Sequence, residues 1–341
     1  MSTALNSANQ DPNVFGPHLL DHPDNEGFRA AAMIYYSRVS KSFAQLRKNT
    51  FAMIEFHPDN VSIYYENATQ FYVRPKYRDE IIRHLEDQLR RGHKERDLYW
   101  ILAKICAQGA IPPVVNSSWG RARFIRYFGL AKNAKLQTQV DLALADKAVQ
   151  YFKDAIAVAS DMRFYPGFYS KQLAALLQSL DREEEALEVC KAALPVLSEV
   201  EKADFLVQYA DCLLNTHQPD EAKRVLGQVR ACDTEGFDGG SAHATTEAET
   251  LLGLTALREG NIADASDHLL ASCQVQKCPH NVTKGFSLAL ARKLLDSGQA
   301  TPVIQFCETV LAHFTPTQKE TEELLHRARE AEANHANRNS T

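Results

Sequence analysis

The sequence lacks any run of about 18 apolar residues, the length that a membrane-spanning helix requires. Its first twenty residues also lack the apolar core of a signal peptide and carry two prolines, Pro12 and Pro17. The seven cysteines are an odd number, and their spacing is not that of a disulfide framework. These absences predict a cytoplasmic chain that has no membrane partner and whose cysteines are free thiols.

The motifs of the common catalytic classes are absent as well. The sequence has no Gly-x-Ser-x-Gly, no His-Glu-x-x-His, no phosphate-binding glycine loop and no dinucleotide fingerprint. We therefore expect a protein that is not an enzyme and that binds no cofactor. An enzyme whose site is assembled from side chains that are distant in the sequence is the alternative.

One group of side chains has the chemistry of a metal site but not its spacing. His268, Cys273, Cys278 and His280 lie within thirteen residues. Structural zinc sites place two cysteines two to four residues apart, whereas these two are five apart and Pro279 precedes the last histidine. We expect free thiols and surface histidines here, and no metal.

Strand signals are nearly absent, so the fold class predicted is all-α. Five successive amphipathic segments each have an anchor residue near their start. It is alanine in four segments and valine in the fifth. These anchor positions are Ala148, Ala186, Ala222, Ala265 and Val303, spaced by 38, 36, 43 and 38 residues. Twelve residues before each of the last four lies another small residue: Ala174, Ala210, Gly253 and Ala291. This pattern predicts pairs of antiparallel helices that approach closely where small residues face each other.

The turns between these helices also carry polar residues of the kind that cap a helix N-terminus. Asp181 and Asn261 each precede an anchor alanine by a few residues. A side-chain oxygen at that place can accept a hydrogen bond from a free backbone N–H of the first turn. We expect Asp181 and Asn261 to cap the second helices of their pairs.

The pattern resembles the tetratricopeptide repeat, a helix-turn-helix unit of about 34 residues. The resemblance is clear over 140–315 and implies a right-handed α-solenoid of stacked repeats, which is usually a scaffold for protein interaction. Two stretches, 252–272 and 288–298, resemble a group of bacterial repeat proteins of no assigned function, which implies a bacterial origin.

The same pattern divides the chain into four parts. We expect a disordered tail, a degenerate helical region, regular repeats, and a capping helix followed by a second disordered tail; these are 1–25, 26–136, 137–315 and 316–341. Within the second part, Pro112 and Pro113 exclude helix, so an insertion is expected over 109–136. The oligomeric state is not predicted.

In the family that the chain resembles, the first helix of each pair lines a concave groove where a peptide or protein binds. The resemblance implies that the partner-binding residues are Lys171, Gln178, Asp204, Asp211, Asn215, Glu247, Arg258 and Arg292. The family's carboxylate clamp, which uses paired Lys and Asn, is not matched, because Ala175 stands where the Asn is expected.

The net charge of −5 conceals a strong asymmetry. Residues 74–135 carry 14 basic and 6 acidic side chains, whereas residues 136–341 carry 19 and 30. Towards the C-terminal end of this basic part lies an aromatic patch with Trp119, Arg121, Arg123 and Arg126. Three interpretations stay open for it: a helix packed on the repeats with solvated arginines, a site for an anionic protein, or a nucleic-acid site.

Two function hypotheses from different classes follow from these observations. The first is a scaffold that binds a protein or peptide partner in the groove of the repeats. The second is a nucleic-acid-associated or transcription-linked accessory protein that uses the basic segment 74–135.

Overall fold

The chain is described by a computed structural model in which thirteen α-helices, and no strands, form among the described residues. Those residues are 29–30, 32–33, 36, 43–57, 75–93, 96–111, 140–159, 166–229, 231–232, 240–274, 288–313 and 318–339. The helices are α1 (Phe43–Phe56), α2 (Pro75–Arg90), α3 (Arg96–Ala110), α4 (Leu142–Ala159), α5 (Pro166–Ser179), α6 (Glu183–Ala193), α7 (Glu199–Asn215), α8 (Pro219–Val229), α9 (Gly240–Arg258), α10 (Ile262–Cys273), α11 (Ala289–Asp296), α12 (Ala300–His313) and α13 (Gln318–Asn339). The predicted all-α class is confirmed for this part of the chain.

The described helices fall into two units, α1–α4 and α5–α13. In the first unit, α1 packs on α2, α2 on α3 and α3 on α4. Arg47 on α1 pairs with Glu80 on α2, and Gln88 on α2 donates a hydrogen bond to Glu55 on α1 at 3.3 Å. Both contacts join residues 33 apart in the same order along the two helices, so α1 and α2 run parallel.

A half-buried carboxylate links α2 to α4. Glu86 Oε1 accepts hydrogen bonds from the Tyr151 hydroxyl at 2.7 Å and from Lys147 Nζ at 3.0 Å. Burial by itself would raise the pKa of Glu86, but these hydrogen bonds and the positive charges of Lys147 and Arg90 outweigh it and lower the pKa. Glu86 is therefore ionised at neutral pH and holds the two helices together.

The second unit is built from helix pairs. The pairs are α5/α6, α7/α8, α9/α10 and α11/α12, and we call the members of each pair its first and second helix. Each first helix packs on its own second helix and on the first helix of the next pair, through the contacts of α5 with α7, α7 with α9 and α9 with α11. The last helix, α13, packs on α12. Consecutive first helices therefore form one row.

The turn inside each pair is the same structure repeated four times. One residue with a positive φ lies five positions before the anchor in every pair: Asp181 (61°), His217 (61°), Gly260 (83°) and Gly298 (83°). The next backbone N–H then bonds the carbonyl five residues earlier in every case, as in Gln218 N to Leu213 O at 2.8 Å and Asn261 N to Ala256 O at 2.9 Å. This is the left-handed helix end that glycine favours and that satisfies the last free carbonyls.

The anchor residues predicted from the sequence lie in the core. Ala148, Ala186, Ala222, Ala265 and Val303 are all 0% exposed. Gly253 on α9 explains why small residues are needed: a Cβ there would lie 3.0 Å from His268 Cβ and 3.3 Å from the Ala265 carbonyl oxygen, and it would overlap Leu290. The first and second helices of this pair approach too closely for a side chain at residue 253.

Several sequence expectations need correction or fall outside the described residues. Asp181 does not cap α6, because it adopts the left-handed conformation and the N-cap position is taken by Arg182, which forms no side-chain capping hydrogen bond. Asn261 does cap α10, accepting a hydrogen bond from Asp264 N at 3.3 Å. Helix α3 continues to Ala110, two residues into the expected insertion.

Five of the six cysteines in the described part of the chain are buried and free: Cys106, Cys190, Cys212, Cys273 and Cys307. Burial raises the pKa of Cys106 and that of Cys307 to about 12. Both thiols are therefore protonated and serve as small apolar groups in the core. The expectation of free thiols is met at these positions.

Candidate functional site

The row of first helices carries all eight side chains that the sequence assigns to partner binding. We define the first-helix face as the side of α5, α7, α9 and α11 that carries these residues: Lys171 and Gln178, then Asp204, Asp211 and Asn215, then Glu247 and Arg258, then Arg292. The structure brings four of them into direct pairs between α5 and α7. The other four lie on α7, α9 and α11.

The contacts between α5 and α7 repeat at a fixed offset. Lys171 pairs with Asp204, and Gln178 Nε2 donates a hydrogen bond to Asp211 Oδ2 at 3.2 Å. Both contacts join residues 33 apart, and each lies about two turns from the other along its helix. The two helices therefore lie side by side and parallel, with a polar contact at each end of their shared face.

At one end of this face lies a buried polar cluster. Gln178 is 7% exposed, Gln208 0% and Asp211 2%. Gln208 Nε2 donates a hydrogen bond to Gln178 Oε1 at 2.7 Å. Gln178 Nε2 in turn donates a hydrogen bond to the Asp211 carboxylate. Buried polar groups require such partners, since removing one partner leaves the other desolvated and unsatisfied.

Two thiols lie next to this cluster. Cys190 Sγ and Cys212 Sγ are 3.6 Å apart, and Gln208 Nε2 lies 3.7 Å from Cys212 Sγ. The hydrogen bond with Cys190, together with burial, raises the pKa of Cys212 well above its usual value. Cys212 is therefore a protonated thiol without the reactivity of a thiolate.

Of the four remaining groove residues, three carry charge, and two of those, Arg258 and Arg292, are exposed. Arg258 is exposed in the last turn of α9, and Arg292 on α11 is 48% exposed and pairs with Glu320 on α13 at 3.1 Å. Glu247 lies 3.4 Å from His243 one turn earlier on the same helix. Asn215 is half-buried at the end of α7. Arg258 and Arg292 are thus exposed cations at the α9–α11 end of the face, whereas Gln178 and Asp211 at the α5–α7 end are buried.

Two buried polar residues were not selected by the sequence reasoning. Gln208 stands within an otherwise mostly apolar stretch of α7, and that isolated polar residue was the available signal. Glu249 is 2% exposed and lies 2.8 Å from His268 Nδ1 on α10. This contact joins α9 to α10 one turn from Gly253, where the two helices approach closely, so its role is structural.

The basic aromatic patch of Trp119, Arg121, Arg123 and Arg126 lies outside the described residues. In the described part of the basic segment, several arginines form ion pairs with carboxylates. Arg91 Nη1 lies 2.8 Å from Glu55, and Arg90 Nη2 lies 3.3 Å from Asp87. These arginines are already paired within the first unit.

In the helices and turns that the structure describes, no group of three or more His, Cys, Asp or Glu side chains is placed to hold a metal ion. His268 pairs with Glu249, and Cys273 Sγ contacts the Leu270 carbonyl oxygen at 3.1 Å, while Cys278 and His280 lie outside this part of the chain. None of the described helices is long and apolar enough to cross a membrane.

No protein-family model matches the chain, and no curated protein is significantly similar to it.

Proposed function

We propose that the protein is an interaction scaffold that binds a protein or peptide along the first-helix face, and that its repeats are of the tetratricopeptide type. The observation that carries this proposal is the unbroken row of first helices, α5 to α7 to α9 to α11. A row of parallel helices offers one extended surface, and an extended chain can contact several helices at once.

The charges along this face indicate the chemistry of the partner at its open end. Arg258 and Arg292 are both exposed and lie on successive first helices. A guanidinium group binds a carboxylate through two parallel hydrogen bonds, which adds specificity as well as affinity. We therefore propose that a partner presents acidic side chains or a terminal carboxylate to Arg258 and Arg292.

This function is tested in two steps. Peptides that bind the full chain are first selected from a displayed random library. Their affinity is then measured for the parent protein and for two charge-reversal variants. Arg292→Glu should weaken the selected peptides about tenfold or more, since a lost contact of about 1.4 kcal/mol changes Kd by that factor. Arg224→Glu is the matched control, because Arg224 is also exposed and also pairs with a glutamate, Glu221, but lies on the second helix α8.

Arg224→Glu should leave the affinity unchanged. Equal affinity of both variants for every selected peptide, or an effect of Arg224→Glu alone, would place the binding surface elsewhere. Neither variant should unfold the protein, because single exposed ion pairs contribute at most about 1 kcal/mol to stability.

A further inference from the structure

Helix α13 lies where a fifth first helix would follow α11. Arg292 on α11 pairs with Glu320 on α13 at 3.1 Å. Further along both helices, Asp296 pairs with Arg327 at 3.7 Å. Because the two contacts follow the same order, α11 and α13 run parallel, as α5 and α7 do. Helix α13 also packs on α12, so it continues the row of first helices beyond α11.

Packing that does not involve Glu320 holds α13 in this place. Thr321, Leu324 and Ala328 are buried, and their spacing puts them on one side of the helix. Since α13 packs on α12, this buried side accounts for its docking. The side chain of Glu320 is about half exposed instead. Opening the contact between Glu320 and Arg292 therefore leaves α13 docked.

The pair of Arg292 with Glu320 can open at low cost. Its side chains are 48% and 53% exposed, whereas Gln178 and Asp211, which join α5 to α7, are buried. An exposed pair loses little when it opens, because water solvates both charges again. Glu320 also lies in the first turn of α13, where the positive end of the helix dipole stabilises a carboxylate even without Arg292.

The geometry of the pair leaves Arg292 able to bind another carboxylate more strongly. Arg292 Nη2 donates one hydrogen bond to Glu320 Oε2. The stronger arrangement occurs between Arg182 and Glu185, where two nitrogens of the guanidinium donate to the two carboxylate oxygens at 2.6 and 2.8 Å. A carboxylate that reaches two nitrogens of Arg292 in this way would outcompete Glu320.

We propose that Glu320 is an internal competitor for Arg292, and that a partner's carboxylate binds between α11 and α13 by replacing it. This inference rests on the proposed function, since it concerns the same arginine. Glu320 is tethered close to Arg292, so it competes at high effective concentration and excludes anions that form a single hydrogen bond. The site therefore selects an aspartate or glutamate side chain, or a terminal carboxylate, that binds the guanidinium through two hydrogen bonds.

The test uses fluorescein-labelled octaglutamate, which offers side-chain carboxylates and a terminal carboxylate, titrated against the full chain. The variant E320Q keeps the size of the side chain but removes the competing charge. It should bind octaglutamate about fivefold more tightly than the parent, the ratio that corresponds to an exposed ion pair of about 1 kcal/mol. The titration is done at an ionic strength of about 0.15 M, where exposed charges more than about 8 Å apart are largely screened.

Two further variants make the result specific. Glu308 on α12 also forms an exposed pair with an arginine of α13, Arg329, at 2.8 Å. The matched control E308Q therefore removes the same charge and opens a similar pair, but on a second helix, and it should bind octaglutamate as the parent does. The double variant R292Q/E320Q should bind no more tightly than R292Q. Circular dichroism confirms that each variant is folded before it is titrated.

Equal affinity of octaglutamate for the parent and E320Q, no binding to either, or an equal gain in E308Q would overturn the proposal. Weaker binding to E320Q would also overturn it, because Glu320 would then be a positioning residue that orients Arg292. The proposed function is judged separately, on the library peptides and Arg292→Glu. If that change weakens the library peptides while E320Q does not strengthen octaglutamate binding, the competitor role alone is wrong.

Discussion

Replacing Ala265 by phenylalanine should lower the free energy of unfolding by about 3 kcal/mol, because overpacking a well-packed core costs about 1–3 kcal/mol and sometimes more. Ala265 is 0% exposed, and its carbonyl oxygen would lie only 3.3 Å from a Cβ at residue 253. A phenyl ring at residue 265 has no space unless α9 and α10 separate. Chemical denaturation followed by circular dichroism measures the loss.

The control for this variant is Ala263→Phe, two residues away on the same helix. Ala263 is exposed, so this change should stay within about 0.5 kcal/mol of the parent. Since α10 also packs on α11 and α12, hydrogen exchange should increase in those helices in Ala265→Phe. If the two variants unfold at the same denaturant concentration, the assigned contact between α9 and α10 is wrong.

The second large effect concerns the buried polar cluster. Gln178→Met keeps the length of the side chain but removes the donor to Asp211 and the acceptor for Gln208. It should cost about 3 kcal/mol, because it leaves a buried carboxylate and a buried amide each short of a partner. Gln172→Met, at a half-buried position on the same helix, should cost much less.

A double-mutant cycle identifies the cause of that cost. Asp211→Asn removes the charge, so in its presence Gln178→Met should be less damaging, and the two changes should couple by about 1–2 kcal/mol. Strictly additive costs would show that the hydrogen bond between residues 178 and 211 contributes nothing, and that the loss comes from packing alone.

The helices of the second unit could be predicted from the sequence because the necessary signal is local. Close approach of two helices requires small residues at fixed spacing, and Gly253 and Ala265 are two such residues. The turns between the helices were harder to predict. The left-handed residue is glycine in two pairs but Asp181 and His217 in the other two, and an aspartate before a helix also has the pattern of an N-cap.

The burial of the α5–α7 end of the first-helix face could not be predicted from the sequence. A repeat position tells which way Gln178 and Asp211 point but not what lies opposite them, because that depends on contacts between residues far apart in the chain. Gln208 was missed for a related reason. A single polar residue within apolar neighbours indicates a buried hydrogen bond, yet its partner, Gln178, is 30 residues away.

The central claim is that a protein partner binds the first-helix face, and site-specific photo-crosslinking in the source organism tests it most directly. The photoreactive residue p-benzoylphenylalanine is placed at residue 292 on α11 or at residue 224 on α8, and lysates are treated with nuclease before analysis. The account predicts a protein cross-linked through residue 292, absent from residue 224 and unaffected by nuclease. A partner trapped through residue 224 alone, or one lost on nuclease treatment, would contradict it.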